Sequence, residues 1–339
     1  MDNLKQLQST IVQMTAPGKG LLAADESVAT ITKRLNAVGV ESTEETRRAY
    51  RDLLLTAPNL SDYVSGVILF EETLNQSTLS GVPFAKALQD QGIVPGIKVD
   101  KGLIPLNATC AEQVTQGLDG LGERLQKYKA QGARFAKWRA VYAVGNGAPS
   151  KAVNLLNAVS LARYAAICQD NGIVPIVEPE VLIDGDHTIE QCEKVSMKAL
   201  HKVFSQLHKQ GVILECIILK PSMVISGKKC PTQSTVAEVA EATMRVLKRT
   251  VPAAVPSINF LSGGQTPEQA TAHLQLMNAM GHLPWNVSFS YARALQEPCM
   301  NAWCGQAEKR QAAQAVFMHR AKLNHLAVLG QYGKEMEHA

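Results

Sequence analysis

The chain is short of the features that would place it outside the ordinary globular enzymes. Its seven cysteines (110, 168, 192, 216, 230, 299 and 304) are an odd, scattered set with no CxxC pair. That argues against a disulfide framework and for a reduced, cytoplasmic chain with mostly buried thiols. No stretch approaches the ~20 apolar residues of a membrane span. The opening MDNLKQLQST has no apolar core of a secretory signal. No run of like charge stands out, and a net charge of +4 is too small and too dispersed to argue for nucleic acid. No Ser/Gly-rich or Pro-rich linker divides the 339 residues, and no repeat of 20–50 residues is visible by motif, so a single domain over 1–339 is expected. There is no HxH or HExxH among the eight histidines, and none of them ends an apolar run. His187 alone follows such a run closely enough to stay open as a ligand.

What is present is an alternation. Eight short apolar runs recur: 20–25, 64–72, 94–100, 133–139, 173–180, 212–220, 258–264 and 287–293. Most are rich in Val, Ile, Leu or Phe, as buried parallel strands are. Helix-like spacing fills the intervals at 30–55, 84–91, 118–131, 151–171, 188–210, 235–250, 267–280 and 306–329. Within the first interval Ser42 or Thr43 is a candidate N-cap, with Glu45 or Glu44 reaching back. Asn171-Gly172 and Gln210-Gly211 read as helix stops. Eight strand–helix units with right-handed crossovers close naturally into an α/β fold, the (β/α)8 barrel. An open doubly wound sheet is the alternative, but no GxGxxG follows the first run.

The runs end in chemistry. Their last residues include Asp25, Glu71-Glu72, Lys98 with Asp100, Lys137 with Arg139, Glu178 with Glu180, Lys220, Ser262-Gly263-Gly264, and Ser290 with Arg293. In a barrel all strand C-termini meet at one face, where active sites sit. Lys220 completes the apolar CIILK. Desolvation lowers a lysine pKa, and a second cation, for which Lys137 is the candidate, lowers it further. A neutral amine forms imines with ketones. The alternative for Lys220 is a structural lysine that snorkels. Glu178 and Glu180 stand two apart on a strand and so share a face. Two close carboxylates raise one pKa, which predicts a general acid/base beside the lysine. The backbone of Ser262, Gly263 and Gly264 precedes a helix opened by Pro267, a pattern that suits phosphate, with Arg293 as a bidentate partner.

These segments resemble a known family. GKGLLAADES, GIKVDKG, ARFAKWR, VEPEVLIDGDH, LKPSM, FLSGGQ and FSYARALQ are similar, in order, to the signature segments of class I fructose-1,6-bisphosphate aldolase, from about residue 4 to about residue 330. The resemblance implies a (β/α)8 barrel, a homotetramer in the cytoplasm, a phosphorylated sugar as substrate, and no cofactor or metal. It implies reversible cleavage of fructose 1,6-bisphosphate to dihydroxyacetone phosphate and glyceraldehyde 3-phosphate. By motif, Lys220 is the Schiff-base residue and Glu178 the acid/base. Glu180 supports it, and Asp25 and Lys137 complete the catalytic cluster. Ser262, Gly263, Gly264, Ser290 and Arg293 resemble the side that holds the C1 phosphate. Ser27, Arg34, Lys98 and Arg139 resemble the side that holds the rest of the sugar and its C6 phosphate. Two departures stand out. ADESTGS of the family reads ADESVAT here, so that Thr30 replaces a serine of the C6-phosphate side while keeping a hydroxyl. The animal members carry a flexible tail ending in Tyr, whereas this sequence reads QYGKEMEHA, expected as a short flexible tail from about 331.

Overall fold

The structure, a computed structural model, describes residues 2–107, 112–145 and 147–338. Cys110 lies outside them, and the other six cysteines are unpaired, five of them buried. In chain order the strands are β1 (Gly20–Ala24), β2 (Val64–Leu69), β3 (Val94–Lys98), β4 (Leu103–Pro105) and β5 (Gln113–Thr115), followed by β6 (Phe135–Tyr142), β7 (Val174–Val181), β8 (Ile218–Leu219), β9 (Ser257–Phe260) and β10 (Asn286–Tyr291). Eight of them close a parallel barrel in the order β1-β10-β9-β8-β7-β6-β3-β2, and β4 and β5 form a separate antiparallel hairpin. The helices are α1 (Asp2–Met14), α2 (Val28–Ala37), α3 (Glu44–Leu55), α4 (Glu71–Leu74), α5 (Phe84–Asp90) and α6 (Leu121–Ala130), then α7 (Lys151–Asp170), α8 (Ile189–Lys209), α9 (Val236–Thr250), α10 (Pro267–Ala279), α11 (Arg293–Trp303) and α12 (Arg310–Val328).

Two-residue periodicity sorts each strand. In β1, Leu22 and Ala24 pack outward against the helices, while Leu21 and Ala23 point into the barrel. The inward set continues with Ile68, Val94, Phe135, Val174, Ile176 and Ile218. Leu7, Ile11 and Met14 of α1 pack onto that set and seal the lower end. Phe135 needs a glycine opposite it: a Cβ on Gly96 would stand 2.2 Å from the ring.

Several boundaries differ from the sequence reading. The run 212–220 holds only two strand residues, because a 3₁₀ turn at Leu214–Cys216 takes its first half. Thr43 caps α3, but its capping-box partner is Thr46, not Glu44 or Glu45. The interval 306–329 contains a 3₁₀ turn at Ala307–Lys309 and then α12. Three helices had no counterpart in the reading, among them α4, which takes Glu71 and Glu72 from the end of the second apolar run. The others are α1 and α11, the latter beginning at Arg293 and carrying Pro298 inside it. The hairpin β4–β5 was also unread. Asn171 and Gln210 are the C-caps of α7 and α8, each followed by a glycine at φ +67.

Residues 331–338 lie against α10 and α12. The Tyr332 amide donates to Gln275 Oε1 (2.8 Å). Both terminal nitrogens of Arg320 donate to the Glu337 carboxylate (2.5 and 2.8 Å), and the Tyr332 hydroxyl donates to Glu337 Oε1 (2.6 Å).

Candidate active site

The inward rows that are apolar at the bottom become ionic at the top. Leu21 and Ala23 lead to Asp25, Phe135 to Lys137 and Arg139, Ile176 to Glu178 and Glu180, and Ile218 to Lys220. Each pair of neighbours is two residues apart, so each row stays on the inner face. The four innermost groups are nearly dry: Asp25 is 8% exposed, Lys137 4%, Glu178 3% and Lys220 3%.

They form an alternating chain of charge. Lys137 Nζ lies 2.8 Å from Asp25 Oδ2 and 3.0 Å from Glu178 Oε2, and Lys220 Nζ lies 3.0 Å from Glu178 Oε1. Two carboxylates thus face two ammonium groups, which is how buried charge is made tolerable. The Lys137–Glu178 contact is an ion pair without hydrogen-bond alignment, so Glu178 Oε2 has no hydrogen-bond partner. Beside that ion pair the oxygen keeps a lone pair that can accept a proton or a hydrogen bond from a hydroxyl.

The ionisation follows from the pairing. Burial pushes Glu178 up, but Lys137, Lys220 and Arg139 together hold it below the usual carboxylate range. Burial likewise opposes the Asp25 anion, and Lys137 and Lys220 override it, so its pKa is well below the ordinary value. For Lys137, desolvation is outweighed by Asp25, Glu178 and Asp100, and its pKa is raised. The expectation that Glu178 and Glu180 form a like-charge pair is corrected here. Glu180 Oε2 is taken by Arg139 Nε at 2.5 Å, and Glu178 is held down, not up. Lys137 also does not face Lys220 directly; one carboxylate lies between them.

Around this cluster opens a cleft of about 690 Å³. Every residue to which the resemblance gives a catalytic or substrate-binding role lines it except Gly264. Gly264 turns the loop instead, at φ +74, with Ile183 occupying the space a Cβ would need.

Two ends of the cleft suit anions. At one, Ser27 at the N-cap of α2, Thr30 in its first turn and Arg34 in its last turn line the cleft, with Ser27 Oγ and Thr30 Oγ1 3.1 Å apart. At the other, the Ser262–Gly263 loop meets Ser290 and Arg293, the first residue of α11. Helix N-termini present unpaired N–H groups and a positive dipole end, which favour anions. The buried Ser290 Oγ has no hydrogen-bond partner and is a ready donor there.

Lys98 Nζ contacts Asp100 Oδ1 at 2.6 Å, and the cleft is further lined by Glu26, Glu71, Lys101 and Leu103. Of these last four the sequence reading named only Glu71, among the run ends expected at the mouth. Glu72, named there beside Glu71, turns away to Arg47. His187 is buried between the loops after β7 and β8, with its carbonyl accepting from the Gly227 amide, and does not line the cleft. Among the described residues no group of three or more His, Cys, Asp or Glu is arranged to hold a metal ion.

A barrel with a buried lysine–glutamate pair at its upper mouth can now be set against known proteins. The family described as fructose-bisphosphate aldolase class-I matches residues 6–339. This chain belongs to that family. It is 56% identical over 331 residues to a probable fructose-bisphosphate aldolase class 1 of Xanthomonas campestris, covering 97% of this chain and 99% of that protein. It is 51% identical over 330 residues to human fructose-bisphosphate aldolase C, covering 97% of this chain and 91% of the human protein. Fructose-bisphosphate aldolase from Plasmodium falciparum, solved with TRAP and a small-molecule inhibitor, superposes with a TM-score of 0.96 at 47% identity, covering 98% of this chain and 96% of that one. The aldolase is therefore a carbon–carbon lyase acting on a phosphorylated sugar. No described helix is long and apolar enough to cross a membrane.

Proposed function

We propose that this aldolase cleaves fructose 1,6-bisphosphate through an imine on Lys220. The observation that carries the reading is the position of Lys220 Nζ: almost dry, at the floor of the cleft, 3.0 Å from Glu178 Oε1. Glu178 can take the ammonium proton, and the freed amine attacks the C2 ketone. Water leaves and an iminium remains. Glu178 or Asp25 accepts the proton of the C4 hydroxyl as the C3–C4 bond breaks, and the electron pair moves into the iminium to give an enamine. Glyceraldehyde 3-phosphate departs. Water relayed by Glu178 protonates the enamine at C3, and hydrolysis releases dihydroxyacetone phosphate and restores the lysine. Lys137 stays charged throughout and stabilises negative charge as it develops.

The Ser262–Gly263 loop with Ser290 and Arg293 takes the C1 phosphate in this reading. Ser27, Thr30 and Arg34 take the C6 phosphate, with Lys98, Arg139 and Glu180 along the sugar between. Basic groups at the mouth match a doubly phosphorylated, anionic substrate. A cytoplasmic location and a homotetramer complete the reading, the first supported by six unpaired thiols; sedimentation of the purified protein reads the second. The central test is borohydride reduction in the presence of dihydroxyacetone phosphate, followed by peptide mapping. The label belongs on Lys220. A label confined to Lys98 or Lys137, or full activity in Lys220→Ala, overturns the proposal.

A further inference from the structure

Beside the catalytic cluster, one residue further along the chain, Glu26 points the other way. Its side chain is 4% exposed, and it holds two guanidinium groups at once. Oε2 accepts from Arg51 Nη2 at 2.6 Å, and Oε1 contacts Arg34 Nη1. Gln296 Nε2, from α11, donates to the same Oε1 at 3.0 Å and to the Ala23 carbonyl at 2.5 Å. The Tyr50 hydroxyl in turn donates to Gln296 Oε1 at 3.2 Å. Residues of β1, α2, α3 and α11 are thereby tied to one carboxylate.

The two arginines are not equivalent. Arg51 has 3% of its side chain exposed, lies behind the cleft wall, and stacks its guanidinium 5.8 Å from the Tyr50 ring centre. Arg34 has 22% exposed and lines the cleft. One carboxylate against two guanidiniums leaves a formal charge of +1, and the member with access to solvent is Arg34. Arg51 alone balances Glu26, so the charge of Arg34 is fixed in place without being cancelled.

We propose that Glu26 is the positioning residue for the sugar phosphate at this end of the cleft: it orders Arg34 in advance, and Arg51 and Gln296 balance Glu26 and hold it in place. The inference rests on the assignment of this end to the C6 phosphate and goes beyond it in naming what sets its affinity. An arginine held before the substrate arrives does not have to be ordered by it, which is where preorganisation gains affinity. Without the carboxylate, Arg34 loses its acceptor and faces the unpaired charge of Arg51.

The test compares two substrates that differ by that one phosphate, fructose 1,6-bisphosphate and fructose 1-phosphate. Glu26→Gln should lower the ratio of their kcat/KM values at least tenfold, through the KM of the bisphosphate and not through kcat. In Glu26→Gln/Arg34→Ala the ratio should equal that of Arg34→Ala alone, because residues that act through one another are not additive. Arg34→Ala leaves Arg51 and Glu26 as a balanced pair and should keep Tm within a few degrees; an unfolded Arg34→Ala makes Arg34 structural and overturns the proposal. If Glu26→Gln does not fold, Glu26→Gln/Arg51→Gln removes both buried charges and should show the same fall in ratio. Equal losses on both substrates, or a ratio lowered by Arg34→Ala but not by loss of Glu26, overturn the inference alone. A ratio untouched by Arg34→Ala overturns the phosphate assignment itself, and the inference falls with it.

Discussion

The two ends of the barrel are built on the same rows of side chains and do opposite things. At the lower end Leu21, Ile68, Phe135 and Ile176 meet α1 and exclude water. Two or four residues later on the same strands stand Asp25, Lys137 and Glu178, equally buried but ionic. Burial alone therefore does not separate scaffold from site. What separates them is whether the buried atoms need partners. Hydrocarbon needs only volume, whereas each upper charge is stable only because the next one faces it.

The comparison breaks if a lower residue controls chemistry or an upper one only stability. Phe135→Ala is expected to have the largest effect on folding. Truncating a buried Phe costs about 3–5 kcal/mol, which a denaturant titration measures, while kcat at low temperature stays within a few-fold. A large kcat loss in the folded protein would tie the lower end to catalysis. Lys137→Met should cost kcat on the order of 10²-fold or more, as removal of a preorganised charge does. A kcat within a few-fold would make Lys137 part of the scaffold. Arg293→Ala should raise KM for the bisphosphate more than tenfold, since a hydrogen bond to a charged group contributes ~1.5–3 kcal/mol. An unchanged KM moves the C1 phosphate elsewhere.

A smaller effect should come from pH. His273, buried on α10 against Gln265, is pushed down to about 4 by desolvation. Its folded pKa lies below the unfolded value of ~6.5, so its contribution is intact above pH ~6.5. It is lost progressively as the pH falls toward 4. At pH 5.5 the loss is at most about 1.4 kcal/mol, and His273→Gln should flatten that part of the stability curve. A curve that does not change shape would rule out His273 as its source. The smallest effect concerns deletion of residues 331–339, of which the described ones, 331–338, line neither end. Their deletion should leave kcat within a few-fold and lower Tm by releasing Arg320 from Glu337. If exchange of the dihydroxyacetone phosphate C3 proton slows more than tenfold, ~1.4 kcal/mol of barrier, the tail supplies the proton and the Glu178 relay is wrong.

The top of the barrel was easier to read than its closure. Runs such as IVPIVEPE show apolar residues and their terminal charges on one parity, and a two-residue period is enough to aim Glu178 inward. The lower seal escaped because α1 joins the core through three side chains in a polar stretch. The start of α11 escaped because Pro298 interrupts the pattern that would have announced a helix at Arg293. Glu26 escaped for a different reason. Its meaning depends on Arg51 and Gln296, distant in the chain, and the only local sign was a second acid directly after Asp25 in AADES. Pairing also explains the misreading of Glu178 and Glu180. Shared parity was correct, but which cation each would find was not written in the spacing.

The ionic chain of Asp25, Lys137, Glu178 and Lys220 has a consequence for the covalent step proposed on Lys220. Counted at their formal charges the four groups sum to zero, and an iminium on Lys220 carries the same single positive charge as the ammonium it replaces. Bond formation there would turn the nitrogen from tetrahedral to trigonal without altering the electrostatic sum of the barrel mouth. The solvation cost of that mouth is settled once, when the chain folds, and forming the iminium adds no net charge to it.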